Sequence, residues 1–521
     1  MQYKHGHPAA KLLLTSFLLI TGIFRQGMAQ EQNTSVDSLW SNVLQEERHI
    51  HIALPDGFKP NVDTPYEVIY ILDGFSMFMR TSWTFLQGEG FLPKNMIMVG
   101  IDNTIKNGMD MRDRDFTPTS TGSVTGGADK FVAFIKNELM PYINKKYRGK
   151  PGGNTLYGGS LGGLLAVYVL MTQPDLFTSY IAIDPALWWD NFYMIRHLPE
   201  SFTKKTFHNT LYIAGREGRP YHFMGVAPLD SLLQSVSPAG LEWEVGIYKN
   251  DTHFSTNFKG FYEGLKFSYG GFYASTAGYP ASRNILIKPH FGTVLKDHPF
   301  DLICYNLAPY KNIHFTIDGS IPTRSSPKLK ADVTPIVLQK DAIIILKSIG
   351  MREEYDKSDT AWFTVAQAFP AITKPAGAVQ AGLHYSCYEG IWDESTDFNK
   401  LTPKQTGITS PDFDVTAFGP EKDYVCILDG FIEIGRDDHY IIEMGDGNDS
   451  TKVYLANRQI LGRHYAASTG EGYMMPLQKG FYPIRISYVH KKGVRYMEWL
   501  YMKATGGDDF PIPTDMLYHS R

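Results

Sequence analysis

From Arg48 to Tyr248 the chain alternates short β-branched and aromatic runs with stretches whose apolar positions recur at helical spacing. That alternation predicts a parallel sheet wrapped by helices. Strands are expected at His49–Leu54, Tyr66–Leu72, Asn95–Ile101, Asn154–Tyr157, Tyr180–Ile183, Thr210–Ala214 and Trp243–Tyr248. Helices are expected at Lys130–Tyr147 and Leu161–Met171. Beyond Phe267 the pattern changes. A Tyr/Gly-rich join, Tyr269–Pro280, leads into segments without a long helical period but with turn signals such as Asp318-Gly319, Asp429-Gly430 and Asp446-Gly447. Two all-β domains are therefore expected, divided by a Pro/Gly linker near Ala368–Ala378.

The chain of 521 residues exceeds what one hydrophobic core supports, and 43% hydrophobic with 20% charged residues describes a globular protein. A formal charge of −4 supplies no field for nucleic acid or anionic lipid, so no polyanionic partner is nominated. The start reads as a secretory signal: basic Lys4 and Lys11, apolar Leu12–Phe24, and a small-x-small cleavage site at Gly27-Met28-Ala29. The expected organisation is a signal over 1–29, an α/β domain over 30–270, and β-sandwiches over 281–367 and 378–507. Export to the periplasm, cell surface or medium follows, with no span in the mature chain. Three cysteines are too few for a disulfide scaffold, although Cys387 and Cys426 could pair.

The sharpest chemical signal is Tyr157-Gly158-Gly159-Ser160-Leu161-Gly162-Gly163, a G-x-S-x-G between a short strand and an apolar helix. This is the setting of a nucleophile elbow, in which a tight turn exposes the serine hydroxyl and glycines avoid clashes. Ser160 is the candidate nucleophile, and the Leu161 amide at the helix start a candidate oxyanion donor. A second donor is expected from the strand end Leu72-Asp73-Gly74-Phe75, at the Phe75 amide. A serine needs a base. Of His197, His208, His222 and His253, the last lies in a polar turn after the strand Trp243–Tyr248, where it can reach the elbow. The triad acid is expected at Glu217, on the loop after Thr210–Ala214, with Asp230 as rival; Asp251 lies too close in sequence to His253. No metal cluster or nucleotide loop stands out, so cofactor-free hydrolysis is expected.

Residues 36–268 resemble an esterase family of α/β-hydrolases, especially the branch of enterobactin-type siderophore esterases related to feruloyl esterases. The resemblance rests on Val68–Gly74, Arg114–Thr119, the Ser160 elbow, Ile183–Asp190 and Thr252–Ser255. It implies a Ser-His-acid esterase with a mostly parallel central sheet, with a carboxylate commonly found at the Glu217 loop. Arg114 and Trp188, inside matched segments, become candidate substrate-binding residues. Asp184 departs from the family, many of whose members carry serine there, and could alter the pocket floor. Residues 313–323 are similar to the β-sandwich at the C-terminus of chitobiases. Residues 382–503 resemble protective-antigen-type β-sandwiches, which often bind carbohydrate, sometimes through calcium; Asp437, Asp438, Asp446 and Asp449 do not reproduce that calcium pattern cleanly. These fusions favour an ester-bearing glycan, carrying acetyl or feruloyl groups, as substrate. A siderophore lactone or other small ester is the alternative, and a glycan-binding protein with an inert hydrolase domain the reading from another class.

Overall fold

The computed structural model describes residues 34–61, 63–122, 124–269, 285–305, 313–331, 333–350, 352, 356, 358–376, 378–393, 396–409, 422–444, 451–462, 471–492, 500–504, 507 and 510–520. The expected signal over 1–29, most of the Tyr269–Pro280 join, and Asp446, Gly447 and Asp449 lie outside them. Two compact units are formed. The first comprises Met1–Ala274 with Met351–Tyr355, the second Ser275–Gly350 with Asp356–Arg521.

The first unit is built on eight strands: β1 (Thr34–Ser41), β2 (Glu46–Ala53), β3 (Glu67–Leu72), β4 (Met96–Ile101), β5 (Thr155–Gly159), β6 (Ser179–Ile183), β7 (Asn209–Arg216) and β8 (Leu241–Tyr248). Their order across the sheet is β1-β2-β4-β3-β5-β6-β7-β8. β1 and β2 form an antiparallel edge, and β4 onward run parallel. Val68–Leu72 of β3 and all of β4 are hydrophobic runs buried along their length, as parallel strands covered on both faces must be. Seven strands meet the sequence expectation within a few residues. β1 was not expected, because an edge strand with Val36 and Trp40 turned to solvent carries no clean apolar alternation. One face of the sheet is covered by Leu161–Thr172 among other helices, the opposite face by Met77–Gly88 and His253–Ser268.

The second unit is all-β. The two sandwiches expected separately share a sheet here: Phe291–Val294 pairs in parallel with Ser358–Val365 on one side and with Glu471–Leu477 on the other. The expected boundary at 507 is also too early, since Leu517–Ser520 pairs with Ala378–Ala381 and with Phe431 and Ile432. Asp429-Gly430, expected as a turn, lies inside the strand Tyr424–Ile434, where pairing with Gly480–His490 overrides the dipeptide's turn preference. Cys387 and Cys426 stand directly opposite on neighbouring strands and form a disulfide.

Candidate active site

Strand register brings the chemistry together. Gly159, the last residue of β5, pairs with Ile183, the last of β6, which in turn pairs with Ala214 of β7. Residues just beyond these positions therefore emerge side by side at one sheet edge. Ser160 leaves β5 with φ 55° and ψ −118°, its amide donating to Ile183 O at 2.9 Å, before the helix Leu161–Thr172 begins. A positive φ is costly for a serine and persists only where its surroundings enforce it. The glycines permit that turn: a Cβ on Gly158 would lie 2.2 Å from Gly162 O, and one on Gly159 would lie 2.0 Å from Asn257 Oδ1.

His253 is the first residue of the helix His253–Ser268. A capping box fixes that start, with Thr252 Oγ1 accepting from the Ser255 amide at 3.0 Å and Ser255 Oγ accepting from the Thr252 amide at 2.9 Å. Its Nδ1 meets Asp184 Oδ2 at 2.6 Å. Since the carboxylate can only accept when ionised, Nδ1 carries the proton and Nε2 is left as the basic nitrogen. Asp184 is fully buried, follows β6 in a left-handed conformation (φ 41°), and also accepts from Arg216 Nε at 2.6 Å. Ser160 and His253 line one cavity of about 400 Å³ together with Gly74, Arg112, Phe254 and Phe258.

Residues 41–213 match the protein family described as "Putative esterase". This α/β unit belongs to that esterase family. Over 180 residues the chain is 33% identical to ferri-bacillibactin esterase BesA of Bacillus subtilis, covering 31% of this chain and 62% of the relative. It is 36% identical over 156 residues to the siderophore triacetylfusarinine C esterase of Aspergillus fumigatus, covering 28% of this chain and 53% of the relative. The chain thus spans less than two thirds of the length of either curated relative. Among solved structures, an IroE-like serine hydrolase from Shewanella oneidensis is 33% identical with a TM-score of 0.40, covering 45% of this chain and 79% of that one.

In the esterase unit the carboxylate beside His253 is Asp184, not the expected Glu217. Glu217 Oε1 accepts from the Asn250 amide at 3.2 Å and so staples the β7 loop to the β8 loop. The rival Asp230 is held by Tyr221 at 2.6 Å and Gln234 at 2.8 Å, and Asp251 by Ser255 and Lys259. The physical reason is position: β6 lies next to the nucleophile strand, one strand nearer than β7. The available signal was the aspartate itself, at a strand end beside the elbow.

Arg114 does not face the cavity as expected. Its guanidinium forks onto Glu46 at 2.5 and 2.9 Å and reaches Asp115, closing a buried network with Arg48. Burial alone would raise the Glu46 carboxyl, but Arg114 and then Arg48 hold it below its ordinary value. Arg112, not singled out from sequence, is the cavity arginine. Asp73 takes it through Nε at 2.6 Å and Nη2 at 2.8 Å. Burial opposes its charge, yet that carboxylate, with Asp113 and Asp110, holds the guanidinium above its ordinary value. Trp188 is 39% exposed and stacks on Phe223 at 6.3 Å, outside the residues lining the Ser160 cavity. Leu161 stands first in the helix behind Ser160, and Phe75 follows Gly74 at the cavity edge. A larger cavity, about 1130 Å³, lies in the second unit against Trp392, Tyr454, Asp429 and Arg485. The first-unit cavity is the one that holds Ser160 and His253.

Proposed function

We propose that the protein is an exported serine esterase in which Ser160 is the nucleophile, His253 the general base and Asp184 the acid, and that it hydrolyses siderophore esters. The observation that carries this reading is the 2.6 Å contact between His253 Nδ1 and Asp184 Oδ2, with His253 lining the same cavity as Ser160 in its strained turn. Ser160 Oγ attacks the ester carbonyl carbon while His253 Nε2 takes its proton, and buried Asp184 stabilises the imidazolium that results. The tetrahedral oxyanion lies towards the Leu161 amide and the Gly74-Phe75 loop. Collapse expels the alcohol, protonated by His253, and leaves an acyl group on Ser160. Water, deprotonated by His253, then attacks the acyl carbon and releases the acid. The siderophore class is preferred over the glycan esters suggested by the fused β domains because both curated relatives carry siderophore esters in their names. Export rests on the expected signal, and the Cys387–Cys426 disulfide suits an oxidising compartment.

The purified chain should hydrolyse ferri-bacillibactin or triacetylfusarinine C faster than methyl ferulate or an acetylated polysaccharide. Ser160→Ala should be inactive on all of them. A clear preference for the polysaccharide would return the substrate to the glycan class. The second-unit cavity, with Trp392 and Tyr454 among charged side chains, is the place we assign to a carbohydrate ligand. Glycan binding measured by calorimetry should then be lost in Trp392→Ala, and binding that survives would move the ligand elsewhere.

A further inference from the structure

Asp184 carries more than the bond to His253. Its side chain is fully buried, and both of its hydrogen bonds fall on one oxygen: Oδ2 receives His253 Nδ1 at 2.6 Å and Arg216 Nε at 2.6 Å. Among the described residues, Oδ1 is buried without a hydrogen-bond partner. A carboxylate taken out of water is strongly destabilising unless a counter-charge or several donors meet it. His253 is neutral in the resting state of the proposed mechanism and supplies a hydrogen bond but no charge. Arg216 supplies the charge, permanently, because a guanidinium does not deprotonate in proteins.

Geometry adds to charge. Arg216 is the last residue of β7, placed by the β6–β7 pairing of Ile183 with Ala214 and by the Asp184 amide donating to Ala214 O at 2.7 Å. Its Nε, donating at 2.6 Å, fixes where Oδ2 lies, and Oδ2 fixes the ring of His253. Glu217, the next residue, bonds the Asn250 amide, so the Arg216–Asp184 pair is not shared with it.

We propose that Arg216 is a positioning residue of the hydrolysis: it sets its counter-charge against Asp184 and orients that carboxylate so that His253 presents Nε2 to Ser160. This rests on the triad reading given above. It assigns to the end of β7, just before the residue expected to provide the acid, the role of supporting an acid that follows the neighbouring strand.

The test uses the full chain and a nitrophenyl acetate assay, with thermal unfolding of every variant. Arg216→Met, and Arg216→Gln as a second neutral variant in case the first does not fold, should lower kcat by about ten- to a hundredfold, as misplaced catalytic groups do, with KM changed less than about twofold. Arg216→Lys, which restores the charge, should recover most of that loss. In an Asp184→Asn background the Arg216→Gln change should cost less than about twofold, because its partner is already gone. An equal loss in both backgrounds, a loss confined to KM, or a lysine as poor as the neutral variants would overturn the proposal. Parent-like turnover by Arg216→Gln beside an inactive Asp184→Asn would overturn it while leaving the triad standing. Parent-like turnover by Asp184→Asn would remove the triad, and this proposal with it.

Discussion

Arg352 is far in sequence from the esterase strands, yet it lies in the first unit and is only 4% exposed. Its Nη1 meets Glu67 Oε2 at 2.7 Å, its Nη2 donates to Thr155 Oγ1 at 3.0 Å and Ser179 Oγ at 3.2 Å, and its Cζ lies 4.2 Å from the centroid of the Tyr269 ring. These residues begin β3, β5 and β6, so one side chain ties three central strands at the edge opposite Ser160. Replacing it by methionine keeps most of the volume and removes the charge. Removing one partner of a buried ion pair costs about 3–5 kcal/mol. Glu67 would keep Lys150 Nζ at 2.9 Å and the Tyr269 hydroxyl at 3.2 Å, which places the expected cost near the lower end, about 3 kcal/mol. Guanidinium unfolding gives the total, and hydrogen exchange of peptides covering Glu67–Leu72 and Thr155–Gly159 locates it. The double variant Arg352→Met/Glu67→Gln should regain at least half, since no buried carboxylate then lacks its main partner. A single variant within about 0.5 kcal/mol of the parent, the range of an ordinary surface change, would refute the reasoning. A chain cut after Ser268 also lacks Arg352, so it should unfold more easily, and its activity on polymers cannot be compared with the full chain without that correction.

Asp184→Asn should lower kcat on a nitrophenyl ester by several orders of magnitude, whereas Glu217→Gln should leave it within a few-fold; the reverse result would restore Glu217 as the acid. Gly158→Ala forces a Cβ to within 2.2 Å of Gly162 O, so it should destabilise the unit by about 1–3 kcal/mol and abolish labelling of Ser160 by a fluorophosphonate; a labelled, stable variant would show that the elbow yields easily. Burial alone would raise Asp37, but Tyr147, Lys146 and Tyr142 hold it below its ordinary value. Its contribution to stability is therefore present above about pH 4 and lost as pH falls through the lowered value. Asp37→Asn should flatten that acid limb in denaturant titrations between pH 5 and 2, and an unchanged limb would assign it to other carboxylates.

The elbow was legible because its requirements are local: a strand, a glycine turn and an apolar helix all fall within a few residues of Ser160. The inner strands were legible for a similar reason, since burial on both faces leaves continuous apolar runs. The acid was not. Asp184 and His253 are brought together by register across three strands, and both Asp184 and Glu217 are carboxylates just beyond strand ends, so local sequence alone does not separate the one that meets His253 from the one that closes a loop. Arg114 and Arg112 show the same limit. Two residues apart on one short helix, one is consumed by Glu46 and Asp115 while the other edges the cavity, and only the turn of that helix separates them. Arg352 carried no signal at all, because its partners Glu67, Thr155 and Ser179 come from strands read more than a hundred residues earlier.

The strand Phe291–Val294, set between Ser358–Val365 and Glu471–Leu477, governs how the second unit can be made and handled. One neighbour follows it more closely in sequence, and the other only after more than a hundred further residues. Closing a sheet across so long a loop is entropically slow, and until it closes the strand keeps an open edge that can recruit strands from other chains. Most of this half of the polypeptide must therefore be present before it can fold as a whole. The same pairing means that neither β module is a cassette. Cutting between them near Ala368–Ala378 would expose two sticky edges, so grafting or expressing either alone requires capping the strand that lost its neighbour.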